Sequence, residues 1–87
     1  MNAAELRAQI KRLIIAELNL QGRDPETIED DAPLFGAGLG LDSLDALQLA
    51  MAIEEKLGAS IPEGDAARPI FKSVRSIAEH VAKVRSA

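Results

Sequence analysis

The chain has no cysteine, no tryptophan and no tyrosine, and its two phenylalanines bring aromatic content to only 2%. Without cysteine there is no disulfide, no thiolate metal site and no thiol nucleophile. With so few rings, the core must be built from Leu, Ile, Val and Ala. The opening Met1-Asn2-Ala3-Ala4-Glu5 lacks a basic segment followed by a long apolar one. Neither a secretion signal nor a membrane span is therefore expected, and the expected location is cytoplasmic. A basic excess is also missing: 10 Lys and Arg stand against 14 Asp and Glu, a formal charge of −4. Such a chain repels nucleic acid and anionic membranes, and its natural charged partners are basic protein surfaces. Net charge alone also serves solubility, so the positions of the acids matter more than their number.

What is present suits one small folded domain spanning residues 1–87. Hydrophobic residues make up 47%, too many for a disordered chain. Asn2 is a candidate N-cap, with Glu5 placed to return the bond. Leu6, Ile10, Leu13, Ile14 and Leu18 follow at helical spacing, so a first helix is expected over 3–20, stopped near Gly22. A second helix is expected from Ser43 to Leu57, ended by Gly58. A short third is expected over 63–67, ended by Pro69. Ser73 caps a last helix whose stripe is Val74, Ile77, Ala78, Val81 and Val84. No segment shows sustained strand alternation. The expected fold is all-α: a small four-helix bundle of three main helices and one short one before the last. Whether the first two helices run parallel or antiparallel is left open.

The connection from Arg23 to Leu41 is long and punctuated by Pro25, Pro33, Gly36, Gly38 and Gly40. A loop this long in a small domain hints at function. Asp24-Pro25-Glu26 suits one turn of helix, and Ile28, Leu34 and Phe35 are expected to pin the loop to the core. Glu29-Asp30-Asp31 lacks the alternating acids and glycine of a calcium loop, and reads as a solvated acidic turn.

The loop leads into Gly38-Leu39-Gly40-Leu41-Asp42-Ser43-Leu44-Asp45. Helix does not extend easily back through these glycines. Asp42 is a good N-cap and Asp45 sits where a capping-box acid belongs. Ser43 then falls in the first turn of the second helix, at the positive end of its dipole. A phosphate ester would be favoured there.

Gly40-Leu41-Asp42-Ser43-Leu44 resembles the attachment motif of acyl carrier proteins. The likeness continues through Asp45 to Leu57 and on to Ile61-Pro62, and is weaker over 6–20 and 73–84. It implies that Ser43, flanked by Asp42 and Leu44, carries a 4′-phosphopantetheine arm taken from coenzyme A. A phosphopantetheinyl transferase (a holo-carrier synthase) would attach the arm. Acyl-transfer and condensing enzymes with basic docking surfaces would meet it, and the carrier itself would be no enzyme. By position, Asp42, Asp45, Leu47, Met51, Glu54 and Glu55 would contact those partners. Gln48 stands where many family members have an acid, Lys56 adds a positive charge, and Ala67 to Lys72 is longer than the family pattern.

At about 100° per residue, Leu49, Ile53, Ala46, Ala50 and Leu57 share one face of the second helix, the core face. Leu44, Leu47 and Met51 fall opposite, edged by Glu54, Glu55 and Gln48. Two readings of these three are open: packing beneath the loop, or an apolar docking centre with a charged rim. For Leu47 and Met51 the docking reading is preferred, because Ser43 ends the same face. The interior at Leu49, Ile53, Leu57, Ile61 and Phe71, nearly free of aromatics and beside small alanines, is expected to admit a long acyl chain.

Three functions compete. The first is a free-standing, monomeric carrier of acyl thioesters for fatty-acid, polyketide or specialised lipid synthesis. A peptidyl carrier of the same fold is a variant of it, disfavoured by Asp42 and the acidic helix. The second is a serine hydrolase or transferase using Ser43. It needs a base, and the only histidine, His80, reads as a surface residue; Ser43 also lacks the glycine two residues later that a nucleophile elbow needs. The third is an unmodified acidic module that binds basic partners.

Overall fold

Asn2 starts the first helix with its side chain, which accepts a hydrogen bond from the Glu5 backbone N–H at 2.8 Å. The Glu5 carboxylate in turn accepts from the Asn2 side-chain amide Nδ2 at 2.9 Å, not from the Asn2 backbone N–H. In this computed structural model, which describes residues 2–18, 24, 27–34, 42–62 and 64–86, helix α1 covers Ala3–Glu17. Of Ser43, Gly64, Asp65 and Ser86 only the backbone is described. Helix α1 ends at Glu17, short of the expected residue 20, and Gly22 and Phe35 lie outside the described residues. Leu18 closes α1 with its N–H on the Ile14 carbonyl at 3.0 Å. Leu6, Ile10, Leu13 and Ile14 form its buried stripe, as the spacing predicts.

Helix α2 covers Ser43–Leu57 and α3 covers Val74–Ser86. Gly58, in the left-handed conformation at φ 69°, ends α2. That conformation suits glycine, because any Cβ there brings backbone strain. Ser73 caps α3: its hydroxyl accepts from the Ser76 N–H at 3.2 Å, and the Ser76 hydroxyl accepts from the Ser73 N–H at 2.9 Å. Between α2 and α3 lie two 3-10 turns, Gly64–Ala67 and Ile70–Lys72. The described residues thus hold three α-helices and no strand. The expected short third helix takes the tighter 3-10 form over Gly64–Ala67, and beyond Pro69, its expected end, a second and unexpected 3-10 turn follows. Proline has no N–H to continue a helix.

Helix α1 packs against both α2 and α3. The interior is aliphatic, with Ile10, Ile14, Leu49, Ile53, Val74, Ile77 and Val81 fully buried. Burying one side chain of this size contributes about 1.5–3 kcal/mol. Phe71 is the described ring in this core.

The long connection is fastened at several points. Ile28 and Leu34 are buried in the core as expected. Leu34 N–H donates to the Lys72 carbonyl at 3.3 Å, and Arg75 N–H, an unpaired donor at the start of α3, reaches the Asp30 carbonyl at 2.9 Å. The acidic turn is solvated at Glu29 and Asp31, as expected, but two of its acids also make ion pairs. The Asp30 carboxylate pairs with Arg7 Nε at 2.9 Å and Lys11 Nζ at 2.7 Å, and Asp31 pairs with Arg75 Nε at 2.6 Å. Loop acids therefore bind the connection to α1 and α3. Lys11, held against the Asp30 carboxyl, keeps it ionised below the ordinary carboxylate range, outweighing partial desolvation; the charges of Arg7 and Arg75 add to this.

Candidate functional site

The site begins at the first residue of α2. The Asp42 carboxylate accepts from the Asp45 N–H at 3.0 Å, and the Asp45 carboxylate accepts from the Asp42 N–H at 3.0 Å. This complete capping box fixes where the helix starts. It also sets Ser43 as the first helical residue. Asp42 and Leu44, on either side, are exposed, Leu44 by 74%. Unpaired N–H groups and the positive end of the dipole lie at this terminus, which favours a phosphate ester.

The outer face of α2 carries Leu44, Leu47 and Met51, with Leu47 59% and Met51 61% exposed. All three side chains are thus exposed rather than buried, as a docking centre requires. The flanking acids are not equivalent. Glu55 is exposed and has no hydrogen bond or ion pair among the described residues. Asp45 is half-buried and committed to the cap. Glu54 Oε1 accepts from the Ile61 N–H at 2.9 Å, so this acid also holds the segment that follows α2.

The inner face differs a little from the expected one. Ala52, Leu49 and Ile53 are the buried arc, while Ala46, Ala50 and Leu57 lie half-buried on one edge. Ile61 and Phe71 join the same core. The structure thus gathers Leu49, Ile53, Ile61 and Phe71 inside, with Leu57 at the margin.

Two polar residues matter more than the sequence suggests. Gln48 Nε2 donates to the Glu17 carbonyl at 2.6 Å, tying the second turn of α2 to the last residue of α1. His80 Nε2 lies 2.8 Å from the Ser60 carbonyl, an acceptor, so that nitrogen carries the hydrogen. For both, the only sequence signal is a side chain with N–H to give, placed at the edge of a buried stripe. Such a signal names no partner.

A family model described as phosphopantetheine attachment site matches residues 4–81. The chain belongs to the acyl carrier protein family. An acyl carrier protein of Thermosynechococcus vestitus is 32% identical over 81 residues, which cover 93% of each chain. One from Bradyrhizobium sp. (strain ORS 278) is 40% identical over 68 residues, 78% of this chain and 80% of the relative. One from Nitrobacter hamburgensis matches to the same extent. Proteins of this family are carriers, not enzymes, and hold a covalently attached 4′-phosphopantetheine. The start of α2 fits that group: a serine opens a capped helix between two exposed neighbours, with helix N–H groups at hand for a phosphate. A carrier of this kind works with transferases and acyl-handling enzymes. No helix among the described residues is long and apolar enough to cross a membrane.

Proposed function

We propose that Ser43 is the attachment residue and that the protein carries acyl intermediates to enzymes of fatty-acid, polyketide or specialised lipid synthesis. The observation that carries this is the position of Ser43, first in a helix fixed by a complete capping box, inside the matched family region. When bound, the arm supplies a thiol that holds acyl groups as thioesters. The chain's own residues do the rest. Asp42 and Asp45 fix the helix start. Exposed Asp42 and Leu44 leave the approach to Ser43 open to a transferase. Leu47 and Met51 offer an apolar docking centre, and Glu55 with the free side of Glu54 gives it an acidic rim for a basic enzyme surface. Leu49, Ile53, Leu57, Ile61 and the single ring of Phe71 form an apolar lining that takes up a long acyl chain.

The hydrolase reading fares poorly. His80 is tied through its Nε2–H to the Ser60 carbonyl, a structural use of the ring that leaves only Nδ1 with a lone pair. The test is incubation with a phosphopantetheinyl transferase and coenzyme A, followed by intact mass analysis of wild type and Ser43→Ala. One arm is expected on the wild type and none on the variant. Modification that persists in Ser43→Ala refutes the assignment, and absence of modification in both supports an unmodified acidic module.

A further inference from the structure

Gly58 turns the chain out of α2, and Ala59 and Ile61 then point into the core while Ser60 stays exposed. Both polar groups of the peptide unit joining Ser60 to Ile61 are taken, by different helices. Its N–H donates to Glu54 of α2 at 2.9 Å, and its C=O accepts from His80 of α3 at 2.8 Å. Helices α2 and α3 each pack on α1, so this one peptide is a polar bridge between two elements that share α1 as their support. We propose that Glu54 and His80 are positioning residues that grip this peptide between α2 and α3, and that a cationic group docking on Glu54 loosens the grip.

The physics follows from the two bonds. A carboxylate bond to a backbone N–H is charge-assisted and stronger than a neutral one. Side chains 59 and 61 are buried on either side of the gripped peptide, so its position sets how deeply they sit. Glu54 also lies beside Leu47 and Met51 on the outer face, where a lysine or arginine of a partner competes for the same carboxylate. Docking and the seating of Ile61 are then linked: whatever draws Glu54 outward costs the Ile61 amide its acceptor. The linkage rests on the acidic docking face proposed above; the grip does not.

The test uses the full chain, isotopically labelled, in two arms. In the first, hydrogen exchange at the Ile61 amide and the His80 Nε2 signal are followed in wild type, Glu54→Ala and Glu54→Gln. Glu54→Ala is expected to speed Ile61 exchange by about tenfold or more and to shift the His80 signal, with Ile10 and Ile14 unchanged. Glu54→Gln keeps an acceptor oxygen and is expected to stay close to wild type. An Ile61 amide as protected in Glu54→Ala as in wild type, or as exposed in Glu54→Gln as in Glu54→Ala, overturns the grip. In the second arm, a short lysine peptide is titrated into the wild type. Faster Ile61 exchange as the Glu54 and Glu55 signals move supports the linkage. Movement at Glu55 with Ile61 unchanged overturns the linkage and leaves the docking face standing. No movement anywhere on α2 overturns the docking face and the linkage together, while the first arm still decides the grip.

Discussion

Gln48 is the residue whose replacement separates packing from recognition most cleanly. Its Nε2 donates to the Glu17 carbonyl at 2.6 Å, at the end of α1, where the last carbonyls have no intrahelical donor. The bond is exposed, so its loss in Gln48→Ala is expected at the low end of the usual range, about 0.5–1 kcal/mol. Gln48→Glu also sets a carboxylate against the negative end of the α1 dipole, a further cost of about 0.3–1 kcal/mol. The total for Glu is about 1–2 kcal/mol, and in a domain of this size it lowers Tm by roughly 5–15 °C. Gln48→Lys keeps a donor, adds a favourable charge and is expected near wild type. Thermal melts at low and high salt check the series. The extra cost of Glu over Ala should shrink as salt rises, and the Ala cost should not. If Glu is as stable as wild type, or if Lys is as damaging as Glu, the bond to Glu17 does not fasten α1 to α2.

Asp30→Asn should destabilise the fold by about 1–2 kcal/mol at neutral pH, because two cations lose a partly exposed partner. The folded-state pKa of Asp30 is lowered, so its contribution is fully present above the ordinary carboxylate pKa of about 4 and is lost as pH falls through the lower folded value. Denaturant melts of wild type and variant should therefore converge below about pH 4, and a gap that persists in stronger acid refutes the ion-pair account. Glu55→Lys should slow association with a basic partner enzyme in a salt-dependent way, while stability changes by less than about 0.5 kcal/mol; stopped-flow binding at several ionic strengths checks it, and a normal on-rate counts against the acidic rim. Loading with acyl chains of increasing length should raise Tm, since each buried methylene gains about 0.8 kcal/mol less the cost of opening the packing. A flat Tm series with unmoved Ile53 and Ile61 methyl signals leaves the chain outside the core.

The elements that depend on local chemistry were legible. Caps at Asn2, Asp42 and Ser73 and the left-handed stop at Gly58 need only their neighbours in sequence, and they occur where the residues imply. So does the exposure of Leu47 and Met51, which helical geometry places opposite Leu49. What stayed hidden depends on pairing across the chain. Asp30 and Asp31 look like any solvated acids until Arg7, Lys11 and Arg75, distant in sequence, come beside them. Gln48 looks like a missing acid until the end of α1 is seen to need its N–H. Glu54 looks like one of two equal rim charges, yet it holds a backbone amide and Glu55 does not. Reversing both charges together would mix a docking effect with release of the segment after α2. Glu55 is the residue that isolates recognition. Glu54 is the one through which recognition and packing meet, and the same polar side chains that present a surface to partners also tie the helices behind it.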